Sequence, residues 1–215
     1  MIGHGGSDGL PGLLPRTDEL LEDGLDVLTE VRLRHPGQRV FLCGTSMGGA
    51  IAVHVAHCAD EPVDGVVLLS PLIKPRPSDL PHPAAVVALR ALSWVAPALA
   101  VGPLPFRQPE DDRKTYGPYE GRMRLRSAAT LLGVTERVQE RVQDFSCPFF
   151  IGVGSRDEVI DKSGPKEFYE RACTDVQDKV FKRYSGACHV MLNDEEFRED
   201  IIADVCAWIS PRLHR

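Results

Sequence analysis

The sequence predicts an α/β fold, a mostly parallel sheet flanked by helices, and three observations predict it. Short apolar runs stand at Val40 to Cys43, Val66 to Leu69, Phe149 to Val153 and Val180 to Tyr184, most of them without polar alternation. Continuous hydrophobicity of that kind marks strands covered on both faces. Stretches with apolar residues at helical spacing separate the runs, the alternation that strand–helix–strand units produce. Finally, Gly44-Thr45-Ser46-Met47-Gly48 joins the first of these strands directly to a helical stretch.

Taken in order, Thr17 to Arg34 opens on a Thr/Asp cap and repeats Leu21, Leu25, Leu28 and Val31 at helical spacing. It stops before Pro36, because a proline disfavours helical backbone at the residue ahead of it. It reads as a crossover helix leading into the first strand. After the serine turn, Met47 to Ala59 is rich in Ala, Val and His and reads as helix. Gly164 to Ala172 and Glu195 to Ile209 are amphipathic and follow the later strands.

The rhythm breaks from about Lys74 to Gln143. Pro75, Pro77, Pro81 and Pro83 open the segment, the apolar stretch Ala84 to Leu104 follows, and then the charged stretch Arg107 to Arg126. A segment of this kind between two core strands is expected as an insertion rather than a second domain. The expected organisation is therefore a core formed by 1–73 and 144–215, interrupted by a cap at 74–143. Within the cap, Ala84, Val86, Val87, Leu89, Leu92, Trp94, Val95 and Leu99 make a helix apolar on most sides. Two readings stay open for it: a helix packed on the sheet, or a hydrophobic mouth for an acyl chain.

The serine turn carries the chemistry. A strand, a tight Gly-x-Ser-x-Gly bend and a helix present the serine hydroxyl at the carboxyl end of the sheet. The glycines are needed because a Cβ would clash as the chain reverses. Ser46 then lies at a helix N-terminus, where the backbone N–H of Met47 is free to donate to an oxyanion. The other reading of Ser46 is an ordinary capping serine. A nucleophilic serine needs a histidine to take its proton and a carboxylate to hold that histidine. Asp157 follows the strand ending at Gly154, and His189 follows the strand ending at Tyr184, so serine, acid and base occur in that order on three carboxyl-end loops. Glu158 and Asp161 compete for the acid role, with surface or capping roles as their alternative. For His189 the alternative is a loop histidine with a structural hydrogen bond.

Other signals are weaker. His54 and His57 have metal-like HxxH spacing on a helix, but no ligand cluster accompanies them, and a solvated helix face explains them. With 31 acidic against 25 basic residues, a net charge of −6 and no Lys/Arg block, the chain offers no electrostatic footprint for nucleic acid. Cys43, Cys58, Cys147, Cys173, Cys188 and Cys206 show no CxxC pair, and most lie in apolar contexts, so they are expected to be reduced thiols in an intracellular protein. No apolar stretch reaches the roughly 18 residues a membrane helix needs.

The stretches GHGGSDG (Gly3 to Gly9), FLCGTSMGGAIA (Phe41 to Ala52), VVLLSPL (Val66 to Leu72), CPFFIGVGSRDEVID (Cys147 to Asp161) and YSGACHVMLND (Tyr184 to Asp194) resemble the monoacylglycerol lipase branch of the α/β-hydrolases over nearly the whole chain. The resemblance implies that Ser46 is the nucleophile, Asp157 the acid and His189 the base, with Met47 supplying an oxyanion-hole N–H and with no metal or organic cofactor. It implies a small-molecule lipid ester as substrate, of monoacylglycerol or lysophospholipid type. It also implies peripheral membrane contact through the cap, in a protein that the reduced cysteines lead one to expect in the cytoplasm. His4-Gly5-Gly6 lies too close to Ser46 to be the HGGG-type oxyanion loop of other esterases, and GHGGSDG resembles the loop after the fourth strand. The domain is therefore expected to be N-terminally truncated, lacking the second oxyanion donor and leaving the strand before Ser46 as an association-prone edge. From this comes a rival expectation: a catalytically impaired fragment that binds a lipid or a protein.

Overall fold

The computed structural model describes residues 2–80, 82–103 and 122–214. Leu104 and most of the charged stretch read at Arg107 to Arg126 lie outside the described residues. Six α-helices and six strands are described: α1 Thr17–Arg34, β1 Phe41–Thr45, α2 Met47–Cys58, β2 Gly65–Leu69, α3 Pro83–Val95, β3 Ala100–Pro103, β4 Arg122–Arg124, α4 Leu125–Arg141, β5 Phe149–Gly154, α5 Ser163–Arg171, β6 Lys179–Tyr184 and α6 Arg198–Ile209. The α/β expectation holds, and α1 has the bounds that its cap and Pro36 predict.

The chain divides into two units, one comprising 1–23 with 78–133 and the other 24–77 with 134–215. The second contains a four-stranded sheet ordered β1-β2-β5-β6, with every pair parallel. All five residues of β2 are buried. Side chains alternate faces along a strand, and β5 shows both faces covered. Phe149 packs against Phe168 of α5 at 5.4 Å between ring centroids, while Phe150 packs against Trp208 of α6 at 6.3 Å. Val67, Leu69, Phe150, Tyr184, Ala187, Met191, Ile201 and Trp208 form one continuous core cluster.

In the first unit, the turn-rich loop before α1 is tied to the start of α4. Thr130 donates its hydroxyl proton to the Pro15 carbonyl at 2.6 Å, and the Ser127 hydroxyl accepts from Leu14 N–H at 3.0 Å and donates to the Gly12 carbonyl at 2.7 Å. These bonds explain why two polar side chains of α4 are buried.

The structure adds to or departs from the sequence reading at three points. The apolar stretch from Ala84 onward is not one helix: α3 ends at Val95, and Ala100–Pro103 instead pairs antiparallel with Arg122–Arg124. Helix α4 was not foreseen, although Leu125, Val134 and Val138 are buried along it. The six cysteines are free, and although most have apolar neighbours in sequence, Cys43, Cys173, Cys188 and Cys206 are exposed.

Candidate active site

Because β1, β2, β5 and β6 run parallel, the loops after them emerge at one edge of the sheet. Their ends are in register: Thr45 beside Leu69, Leu69 beside Gly152, and Gly154 beside Tyr184. Ser46 follows β1, Ser70 follows β2, Asp157 follows β5 and His189 follows β6. The carboxyl edge of a parallel sheet is where such folds assemble their sites.

Ser46 sits at φ 54° and ψ −121°, a backbone conformation that a residue with a Cβ rarely adopts. Its neighbours hold it there. Ser46 N–H donates to the Leu69 carbonyl at 3.1 Å, and its own carbonyl accepts from Gly49 at 3.0 Å and Leu72 at 2.9 Å. A side chain at Gly44 would run into the Gly48 carbonyl and the Gly49 nitrogen, so the bend requires glycine there. Ser46 occupies the N-cap of α2, yet its hydroxyl makes no cap hydrogen bond. Met47 is the first residue of α2, and its N–H has no partner four residues back within the helix.

Asp157 is fully buried. Oδ1 accepts from the N–H of Val159 at 2.9 Å and of Ile160 at 3.3 Å, and Oδ2 lies 2.8 Å from His189 Nδ1. Burial pushes this carboxyl up, but the His189 hydrogen bond and the Val159 N–H outweigh it and hold Asp157 below the usual carboxylate range. An ionised Asp157 places the ring proton on Nδ1 and leaves Nε2 of His189 as an acceptor. The competing acids go elsewhere. Asp161 accepts from Ser163 N–H at 2.9 Å and pairs with Lys74 at 3.5 Å. Glu158 is exposed and offers its carbonyl to Arg76. The structure thus brings Asp157 and His189 into contact; among the described residues no hydrogen bond joins His189 to the Ser46 hydroxyl.

Sequence reasoning passed over the residues that fasten the two loops together. Ser155 N–H donates to the Tyr184 carbonyl at 2.9 Å, and the Ser155 hydroxyl accepts from Gly186 N–H at 2.9 Å. Arg156 N–H donates to the Ala187 carbonyl at 3.0 Å, and its side chain donates to the Gly186 carbonyl. A polar Ser-Arg pair just before an aspartate at a strand end was the available signal. His54 and His57 lie on α2, and no group of three His, Cys, Asp or Glu placed to hold a metal occurs among the described residues.

Residues 1–196 match the family model described as serine aminopeptidase, S33. The human monoglyceride lipase is 31% identical over 219 residues, covering 98% of this chain and 71% of that protein. The caffeoylshikimate esterase of Arabidopsis thaliana is 27% identical over 231 residues, covering 100% of this chain and 68% of that protein. The crystal structure of the Paleococcus ferrophilus monoacylglycerol lipase superposes with a TM-score of 0.76 at 22% identity, covering 98% of this chain and 80% of that one. Fold, family match and sequence likeness agree: the chain belongs to the serine aminopeptidase S33 family and is a monoacylglycerol lipase-like α/β hydrolase.

Proposed function

We propose that the protein is a serine ester hydrolase that cleaves monoacylglycerol-type lipid esters with Ser46 as nucleophile, His189 as base and Asp157 as the orienting acid. The observation that carries the reading is the 2.8 Å Asp157–His189 contact, made by loops at the same sheet edge as the strained Ser46 bend. His189 Nε2 takes the hydroxyl proton as Ser46 Oγ attacks the ester carbonyl carbon. The negative charge that develops on the carbonyl oxygen falls to the Met47 N–H. The tetrahedral adduct collapses, the glycerol oxygen leaves with the proton from His189, and an acyl ester on Ser46 remains. Water, deprotonated by His189, then hydrolyses that ester, and no step calls on a metal or organic cofactor.

The named activities of the relatives support the ester class: one is a monoglyceride lipase and another a caffeoylshikimate esterase. The apolar helix α3 supports a lipid substrate and peripheral contact with membranes, since Val87, Leu92, Trp94 and Val95 are exposed on it. No helix among the described residues is long and apolar enough to cross a membrane. The same apolar surface also favours the second reading, a catalytically impaired module that binds a lipid or a protein. Labelling with a fluorophosphonate probe, beside hydrolysis of a monoacylglycerol and a lysophospholipid, separates the two. The expected result is labelling and turnover in the parent chain and neither in Ser46→Ala. Labelling that persists unchanged in Ser46→Ala removes the nucleophile assignment, and vesicle binding without labelling favours the module.

A further inference from the structure

The residue after β2 makes connections that the proposed chemistry does not explain. Ser70 is fully buried, adopts φ 44°, and its hydroxyl has no hydrogen-bond partner. A buried hydroxyl without a partner and a non-glycine residue at positive φ are each costly, so their coincidence calls for a role. The segment from Leu69 to Leu72 touches both halves of the site. Toward the nucleophile, the Leu69 carbonyl accepts from Ser46 N–H, Leu72 N–H donates to the Ser46 carbonyl, and a side chain at Gly49 would lie 2.8 Å from Pro71. Toward the acid, Ser70 N–H donates to the Gly152 carbonyl at 2.8 Å, and the Ser70 side chain lies close enough to the Asp157 carboxylate to favour its charged form.

We infer that Ser70 is a positioning residue: its hydroxyl turns onto the Asp157 carboxylate as a third kind of donor, and its strained turn couples that carboxylate to the Ser46 bend. The groups already facing Asp157 are the His189 ring and the N–H groups of Val159 and Ile160. One more donor fixes the rotation of the carboxylate and moderates the charge that the imidazolium feels. The inference rests on the triad proposed above.

The test compares Ser70→Ala with Ser70→Gly. Both delete the hydroxyl, but glycine also relieves the positive φ. The expected outcome is that kcat falls roughly three- to tenfold in both variants with KM unchanged, the scale of one hydrogen bond in the transition state. The acid limb of the pH–rate profile should also move upward by roughly half a unit, because the less screened carboxylate holds the proton on His189 more tightly. Thermal unfolding shows whether each variant is folded, and Ser70→Gly keeps the test open if Ser70→Ala is not. An unmoved acid limb, or full kcat in the glycine variant with loss only in the alanine one, overturns the inference and leaves a backbone role alone. Asp157→Asn measured alongside separates the levels: full activity there overturns the triad and this inference with it.

Discussion

Strand β2 and helix α3 are both strongly apolar, yet they meet opposite fates. All five residues of Gly65–Leu69 are buried, whereas Ser93 is the buried residue of Pro83–Val95, and Val95 is 84% exposed. The strand is hydrogen-bonded on both sides and covered on both faces, so it is over-determined, and it can hold a bend as strained as Ser70 at its end. The helix exposes side chains that an ordinary surface helix would turn inward. The difference assigns separate tasks. Under the proposed function, the chemistry would fall to the rigid carboxyl edge of the sheet and contact with apolar matter to α3.

The strongest way to break that division is to strike the rigid edge without altering its shape. Asp157→Asn keeps the volume but changes the hydrogen-bonding sense, so His189 Nδ1 is no longer offered a pure acceptor. The expected loss is about 10⁴-fold in kcat for a monoacylglycerol and for a short soluble ester alike. A loss on the lipid alone would mean that Asp157 serves substrate binding rather than the base.

A smaller effect is expected at α3. Leu92→Asp or Val95→Asp should weaken binding to lipid vesicles by roughly tenfold, the scale of one apolar side chain taken from or returned to water. Hydrolysis of a short soluble ester should stay within about twofold. Equal losses on both substrates would make α3 a structural helix and erase the contrast with β2.

The smallest effect concerns acid. Burial raises Asp157, Asp161 and Asp204, but bonds from His189, from Ser163, and from Lys182 with Tyr184 outweigh it, so all three titrate below the usual carboxylate range. A carboxylate with a lowered folded pKa contributes stability above its unfolded value near 4, and that stability disappears as pH falls through the folded value. Melting temperature should therefore be level from neutral pH to about 5 and drop by a few degrees below about 4. The Asp157→Asn variant should show a shallower drop. All three groups lie in the unit that contains the sheet, so a drop of the same steepness in Asp157→Asn would remove Asp157 from the account.

Much of this site was legible because it is written locally. Gly44 to Gly48 has a glycine where a side chain would meet the returning chain, and the bend is a property of consecutive residues. Asp157 and His189 were found by their places just past strands, and the strands were found by their apolar runs. Other features were not legible, because they depend on partners distant in the chain. Helix α3 was read on to Leu99, but it ends at Val95, and the chain beyond it turns into Ala100–Pro103, which pairs with Arg122–Arg124. The apolar sequence neighbours of most cysteines did not reveal that four of the six are exposed, because exposure depends on what packs from elsewhere.

By itself the sequence determined the strand–turn–helix bend of Ser46, the bounds of α1, and the order of Ser46, Asp157 and His189 on loops along a parallel sheet, because these follow from dihedral preferences, capping and apolar runs within a few residues. Only the tertiary structure decided that Asp161 pairs with Lys74, that Ser155 and Arg156 fasten the Asp157 loop to the His189 loop, and that Ser70 N–H bonds to the Gly152 carbonyl of the neighbouring strand. Those contacts come from the register of β2, β5 and β6, which places three loop ends side by side, and register is set by packing across the sheet rather than by any one segment.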